Sequence, residues 1–240
     1  MSTTAETAMM NTSQATTAGK PFKSAERIHQ ALTANLERKA LIYFAERMPK
    51  AINSDHLTLL GFGAQLLAGV SFALARRNKY ALLLACLFIA LNWFGDSLDG
   101  TLARVRKQQR PRYGFYVDHI IDAFGAVFLM CGLAASGYLH WQVAMAMLTA
   151  FLLISIETYL ATYTLDTFRL SHGIFGPTEI RILLIIGCVA LLRNPHATLL
   201  GHRFLLFDVG GVIGSAGMLV MVIVASVRHT VELYRKERLS

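Results

Sequence analysis

Long apolar stretches separated by short charged segments dominate this 240-residue chain. The stretch from Leu57 to Ala75 contains no charged residue and ends at a cluster of basic residues, a pattern typical of a membrane-spanning helix. Because about 20 helical residues are needed to cross a bilayer core of about 30 Å, we count six such helices. The predicted spans begin near residues 57, 80, 115, 141, 177 and 209.

The boundary between the third and fourth predicted spans depends on a long uncharged stretch. No acidic residue, lysine or arginine occurs in the 34 positions between Asp122 and Glu157, which is too long for one span. The segment 137–140 (Gly-Tyr-Leu-His) predicts the turn that divides it. Glycines within the spans, among them Gly61, Gly63 and Gly132, are expected to permit close helix packing.

A helical period precedes the first span. Its apolar positions share one face and are Ile28, Leu32, Leu36, Ala40 and Tyr43. With basic and acidic residues mostly opposite, this segment is expected to lie in the membrane interface. The alternative is a helix packed on a partner. The predicted organisation is a disordered tail at 1–23, a juxtamembrane amphipathic helix at 24–48, a six-helix membrane domain at 49–230 and a C-terminal tail at 231–240.

Composition supports an integral membrane protein and excludes an ordinary soluble one. Hydrophobic residues make up 54% of the chain and charged residues 16%, against about 25% charged residues in soluble domains. Three cysteines, Cys86, Cys131 and Cys188, each lie within an apolar run. This placement suits buried free thiols better than a zinc site or paired disulfides.

The distribution of basic residues predicts the orientation of the spans. The net charge is +8, and with a cytoplasmic N-terminus 18 of the 23 lysines and arginines fall in cytoplasmic segments. We therefore expect both termini in the cytoplasm. The same excess could indicate a nucleic-acid partner, but the basic loop from Arg104 to Arg112 has only Tyr113 nearby for base stacking. No nucleic-acid partner is expected, and membrane lipid or substrate phosphate fits this loop better.

Four aspartates at the facing ends of the second and third spans are the main candidate for chemistry. Asp96 and Asp99 are three residues apart, and Asp118 and Asp122 are four apart, so each pair shares one helix face. A carboxylate within a membrane costs about 2.5–3.5 kcal/mol on insertion scales unless it is compensated. The short connection between the spans predicts that the four carboxylates converge. Oxygen ligands at this density favour Mg²⁺, Mn²⁺ or Ca²⁺ over zinc or copper.

Two other interpretations of these aspartates are consistent with their positions. They could be ordinary helix-end charges, solvated or paired with Arg104, Arg106 or Arg110. They could also mark the ion pathway of a cation transporter, although they cluster at one interface and the other spans carry almost no acids. Nearby Gly100 and Gly114 favour a ligand that approaches the backbone closely. A bound metal, a nearby arginine and glycines that allow close approach to the backbone together suit a phosphate or pyrophosphate group.

Written out, this stretch resembles the signature of the CDP-alcohol phosphotransferase (CDP-alcohol phosphatidyltransferase) family. It reads Asp96-x2-Asp99-Gly100-x2-Ala103-Arg104-x9-Gly114-x3-Asp118-x3-Asp122. The resemblance implies an all-α integral membrane fold of six transmembrane helices preceded by an amphipathic interfacial helix. It also implies an enzyme that cleaves a CDP-linked alcohol, transfers the phosphoryl-bearing portion to a second alcohol and releases CMP. Family members are commonly homodimers, so a homodimer is expected as well.

The resemblance also implies roles for individual residues. The implied ligands of Mg²⁺ or Mn²⁺ are Asp96, Asp99, Asp118 and Asp122, of which Asp122 is alternatively a catalytic base. The implied CMP and pyrophosphate site comprises Gly100, Ala103, Arg104 and Gly114. The segment that opens the first span resembles the family's Pro-Asn-x-Leu-Thr-like sequence, with Asp55 and Thr58 as candidate nucleotide contacts.

Short motifs resemble the choline/ethanolamine phosphotransferase branch of the family. His119 follows Asp118, and Glu179 lies in a later Thr-Glu pair, so both are candidates for activating the acceptor hydroxyl. This favours transfer of phosphocholine or phosphoethanolamine to a lipid alcohol such as diacylglycerol. The alternative is phosphatidyl transfer from CDP-diacylglycerol to a small polar alcohol, since a short six-span chain is typical of bacterial members using that donor. A prokaryotic inner membrane with a cytoplasmic active site is the expected location.

Overall fold

The chain consists almost entirely of long helices in the computed structural model, which describes residues 34–165 and 177–238. In chain order the elements are α1 (Ala34–Arg47), α2 (Ser54–Ala75), α3 (Ala81–Val105), α4 (Pro111–Ser136), α5 (Trp141–Leu165), α6 (Pro177–Arg193), β1 (His196–Leu199), β2 (His202–Leu205) and α7 (Leu206–Lys236). The predicted tail at 1–23 and the start of the predicted amphipathic helix, with Ile28 and Leu32, lie outside the described residues.

Five of these helices are long and apolar enough to cross a membrane, namely α2, α3, α4, α5 and α7. The predicted all-α membrane fold is therefore confirmed. Helix α6 has 17 residues, a length of about 25 Å at 1.5 Å per residue. The sixth span remains a prediction for this reason. The predicted domain boundaries, homodimer and cytoplasmic orientation also remain predictions.

The turn after α4 and the hairpin before α7 both contain a glycine with positive φ. Helix α4 ends at Gly137, whose φ of 79° is the left-handed conformation that glycine adopts most readily, and α5 begins at Trp141. This is the predicted turn between the third and fourth spans. A two-stranded antiparallel hairpin was not expected from the sequence and precedes α7. Its turn residues Leu200 and Gly201 both have positive φ, as a tight hairpin turn requires.

Helix α2 packs against both α3 and α4, and glycines make these contacts close. A Cβ atom at Gly95 of α3 would lie 2.6 Å from the backbone nitrogen of Gly61 on α2. A Cβ atom at Gly132 of α4 would collide with the backbone of Gly69 on α2. Small residues thus let the backbones approach, as expected for Gly61 and Gly132. By contrast, a Cβ at Gly63 would meet no atom within 4 Å in the part of the chain that the structure describes.

Helix α1 packs on α3 through aliphatic side chains. Leu41 and Ala45 of α1 are buried in a cluster with Leu57, Leu98 and Leu102. Tyr43, which the sequence places on the apolar face, is 52% exposed. The buried face of α1 is therefore rotated from the predicted one, because contact with α3 selects the residues that are buried.

Two polar contacts join α7 to the helices before it. His140, just before α5, pairs with Asp208 of α7 at 2.5 Å between Nδ1 and Oδ2, and its backbone nitrogen donates to Oδ1 at 2.8 Å. Glu157 of α5 and His229 of α7 pair at 2.5 Å between Oε1 and Nδ1. The α5–α7 packing is thus supported near both ends.

Candidate functional site

The four predicted aspartates lie on two helices that are joined through α2. Asp96 and Asp99 are on α3, and Asp118 and Asp122 are on α4. Electrostatic repulsion links carboxylates across the two helices: it acts on Asp122 from Asp96, Asp99 and Asp118, and on Asp99 from Asp96 and Asp118. Such mutual repulsion requires compensation from a cation or from hydrogen-bond donors.

Asp99 is compensated by hydrogen bonds within its own helix and from α2. The residue is 6% exposed, and its carboxylate accepts a hydrogen bond from Thr58 Oγ1 at 2.6 Å. The backbone nitrogen of Gly100 donates to the other oxygen. Thr58 reaches Asp99 because the contact of Gly61 with Gly95, one turn away on each helix, brings α2 against α3. The candidate nucleotide contact Thr58 is therefore placed beside a candidate metal ligand.

Asp96 is compensated by an arginine that sequence reasoning did not assign to the site. Arg181 of α6 places Nη2 2.7 Å from Asp96 Oδ2 and donates through Nε to Asn92 Oδ1 at 2.9 Å. The same guanidinium attracts Asp122. The sequence carried a signal, since an arginine near the start of an apolar helix needs an acidic or polar partner.

Two arginines of the basic loop, Arg106 and Arg110, contact groups other than the four aspartates. Arg106 donates to the backbone carbonyls of Met48, Pro49 and Ile52. Arg110 forms an ion pair with Asp55 and stacks over Tyr113 at 4.1 Å. Asp55 is a candidate nucleotide contact, and in this arrangement its carboxylate is held by the loop that connects α3 to α4.

The candidate CMP-binding residues lie along the end of α3 and the start of α4. Arg104 is exposed and donates through Nη2 to Thr101 Oγ1 at 2.9 Å, while Ala103 is partly buried beside it. Among the described residues, a Cβ atom at Gly114 would meet no atom within 4 Å outside its own helix backbone, and one at Gly100 would meet only Arg104 Nη1, at 3.6 Å. A ligand can therefore approach the backbone at both glycines.

His119 has a defined orientation on α4. Its Nδ1 lies 2.5 Å from the carbonyl oxygen of Phe115, so Nδ1 carries the donated proton and Nε2 carries the lone pair of the neutral ring. The ring lies between Phe115 and Tyr159, with centroid distances of 4.1 and 4.7 Å. An imidazole held in this way can accept a proton at Nε2. Glu179, the other candidate for this role, is 8% exposed in the first turn of α6.

The chemistry of the aspartates fits a hard divalent cation. All four side chains offer carboxylate oxygens, which are the ligands that Mg²⁺ and Mn²⁺ prefer. In the described part of the chain, no three acidic, histidine or cysteine side chains are close enough together to form a complete metal site. One oxygen of Asp99 is bonded to Thr58 and one of Asp96 to Arg181, so a cation would have to draw these carboxylates toward it.

Comparison with known proteins identifies a family and a relative of this chain. A family model described as CDP-alcohol phosphatidyltransferase matches residues 52–229, which contain all four aspartates. An archaetidylinositol phosphate synthase of Pyrococcus horikoshii is 31% identical over 113 residues. That match covers 47% of this chain and 53% of the relative, so the chain spans about half the length of that protein.

Proposed function

Because the chain belongs to the CDP-alcohol phosphatidyltransferase family, we propose that it is a membrane transferase acting on a CDP-linked alcohol. The observation that carries this proposal is the set of four aspartates on α3 and α4, all of which lie within the residues that match the family. Such a group is costly within a membrane and becomes favourable when it binds a cation. Transfer of a phosphoryl-bearing group between alcohols uses a cation of this kind.

The proposed reaction is a displacement at the phosphorus that carries the donor's alcohol. The acceptor oxygen forms a bond to this phosphorus, the bond to the bridging oxygen breaks, and CMP leaves with the electron pair. The proton of the acceptor hydroxyl passes to a base, for which Nε2 of His119 and the carboxylate of Asp122 are the candidates. His119 is favoured by its fixed ring, whose Nδ1 is already committed to Phe115.

Other residues of the site would bind and orient the donor. A divalent cation, when bound by the aspartates, would neutralise the pyrophosphate and stabilise the leaving CMP. Arg104 supplies a cation beside Gly100, and the open backbone at Gly114 leaves space for a nucleotide group. Thr58 holds the carboxylate of Asp99 in one orientation before a cation binds.

For the donor, we favour a CDP-linked lipid and a small polar alcohol as acceptor. The support is the similarity to a protein named for a product that joins a lipid to inositol phosphate. A second candidate is transfer from CDP-choline or CDP-ethanolamine to a lipid alcohol. The oriented His119 beside Tyr159 supports this candidate, because the motif that resembles that branch places a histidine at this position.

A donor panel distinguishes the two candidates. Purified protein in lipid nanodiscs receives Mg²⁺ and one of CDP-diacylglycerol, CDP-choline or CDP-ethanolamine, each with and without acceptor. The acceptors are inositol phosphate and glycerol phosphate for the first donor and diacylglycerol for the others. CMP and lipid product are both followed.

CMP release that depends on CDP-diacylglycerol and a polar acceptor supports the favoured donor, whereas release only with an amino-alcohol donor supports the second candidate. Absence of CMP with every donor overturns the transferase.

A further inference from the structure

We propose that Glu37 of the juxtamembrane helix is a positioning residue for the aspartate site, an inference that rests on the proposed transferase. One oxygen of Glu37, Oε1, accepts three hydrogen bonds from side chains of two other helices. Trp93 Nε1 donates at 2.9 Å and Ser97 Oγ at 3.2 Å, both from α3, and Thr178 Oγ1 donates at 3.0 Å from α6. Three side-chain donors on one oxygen make Glu37 the point at which α1, α3 and α6 meet.

The three donors lie next to the residues that form the ion pair of the site. Asp96 lies between Trp93 and Ser97 on α3, and Arg181 follows Thr178 by one helical turn on α6. Asp96 and Arg181 meet at 2.7 Å. Glu37 therefore joins α3 and α6 at the level where their charged side chains meet, and it sets how closely Arg181 approaches Asp96.

Helix α1 is fixed firmly enough to serve this purpose. Leu41 and Ala45 are 7% and 2% exposed against α3. Just after the end of α1, the carbonyls of Met48 and Pro49 accept hydrogen bonds at 2.8 and 2.9 Å from Arg106, the residue that follows α3. Polar contacts thus hold α1 at its first turn and just after its last turn, with aliphatic packing between them.

The chemistry of the contact shows which substitution should preserve it. The indole nitrogen and the two hydroxyls are neutral donors, so they need an acceptor oxygen at Glu37 and not a negative charge. A glutamine has such an oxygen and similar length, whereas an alanine has none. A positioning role therefore predicts rescue by Glu37→Gln, which neither an acid–base role nor an electrostatic role would allow.

The test compares Glu37→Ala, Glu37→Gln and the exposed control Glu46→Ala of the same helix. All are made in a Trp141→Phe background, where Trp93 is the remaining tryptophan of the two in the chain. Steady-state CMP release per folded protein and Trp93 emission are measured. We expect Glu37→Ala to lower kcat by about 10-fold or more, since small displacements of a site have large effects, with donor KM within about twofold. The emission of Trp93 should shift in the same variant.

Glu37→Gln and Glu46→Ala should keep kcat within about twofold and leave the emission unchanged. Adding Thr178→Val to Glu37→Ala should cause no further loss, because the contact is already absent. If Glu37→Ala does not fold, Thr178→Val alone should lower kcat by about threefold. Wild-type turnover in Glu37→Ala, or equal loss in Glu37→Gln, overturns the proposal. Unchanged Trp93 emission in Glu37→Ala also overturns the proposal, whether or not any donor yields CMP. Failure of every donor to yield CMP would separately overturn the transferase.

Discussion

Arg181 places its Nη2 atom 2.7 Å from Oδ2 of Asp96, so a cation of α6 faces a carboxylate of α3. The Arg181 side chain is only 17% exposed, and Asn92 holds its Nε atom at 2.9 Å. The pair compensates one of four crowded carboxylates and brings the short helix α6 into the candidate site. The orientation of Asp96 therefore depends on α6 as well as on its own helix.

Substitution of Arg181 tests whether this pair orients the site. Arg181→Gln should lower kcat by about 10- to 100-fold, because Asp96 loses its partner and moves within the cluster. Arg181→Lys should be less damaging, since the charge remains but the planar contact with Asn92 is lost. Steady-state CMP release measures both. Arg193→Gln, at the exposed opposite end of α6, should behave as wild type, and equal activity in all three variants would contradict the orienting role.

Thr58 should matter through its hydroxyl group. Thr58→Val removes the donor to Asp99 and leaves a buried carboxylate oxygen with one hydrogen bond fewer. Hydrogen bonds to charged groups contribute about 1.5–3 kcal/mol, so kcat/KM should fall by about 10-fold or more. Thr58→Ser keeps the hydroxyl and should stay within a few-fold of wild type. A valine variant as active as the serine variant would remove Thr58 from the site.

His119 and Glu179 should affect transfer more than donor binding. Replacing a general base typically costs about 100- to 10,000-fold in rate. His119→Ala and Glu179→Ala should therefore lower kcat, while titration with a CDP-alcohol shows little change in Kd. His140→Ala is the matched control, because this histidine pairs with Asp208 at the other end of the helices. Wild-type turnover in either alanine variant would exclude that residue from the reaction.

The close crossing of α2 and α3 should not tolerate a larger residue. Gly95→Ala would place a Cβ atom 2.6 Å from the backbone of Gly61 and from the carbonyl oxygen of Leu57. Overpacking of this kind costs about 1–3 kcal/mol, so the Tm should fall by several degrees and Thr58 should lose contact with Asp99. Thermal unfolding in detergent measures the change. Gly63→Ala, with no atom within 4 Å, should not lower the Tm.

The local parts of this fold were accessible from sequence. Apolar length predicts the spans, and the spacing of Asp96 with Asp99 and of Asp118 with Asp122 predicts a shared face, because both depend on helical geometry alone. The turn at Gly137 was likewise visible. The hairpin before α7 was missed, since two strands of four residues each give too little alternation to distinguish them from a loop.

Contacts between distant helices were not accessible. The packing of α6 on α3 decides that Arg181 pairs with Asp96, and no local pattern distinguishes this from a pair with Glu179. In the same way, contact with α3 buries Leu41 and leaves Tyr43 exposed on α1. The sequence predicts that each pair of aspartates shares a helix face, whereas the partners that orient them follow from tertiary packing.

The most direct test of the proposed transferase measures CMP release by the wild-type protein and by Asp99→Asn, with donor and acceptor present. Wild type should release CMP only with Mg²⁺ or Mn²⁺ and should stop when EDTA is added. The rate of CMP release by Asp99→Asn should be about 100-fold or more below wild type at every Mg²⁺ concentration. Asp208→Asn, in the first turn of α7, should resemble wild type. CMP release by Asp99→Asn at the wild-type rate, or wild-type activity that persists in EDTA, would contradict a metal-dependent aspartate site.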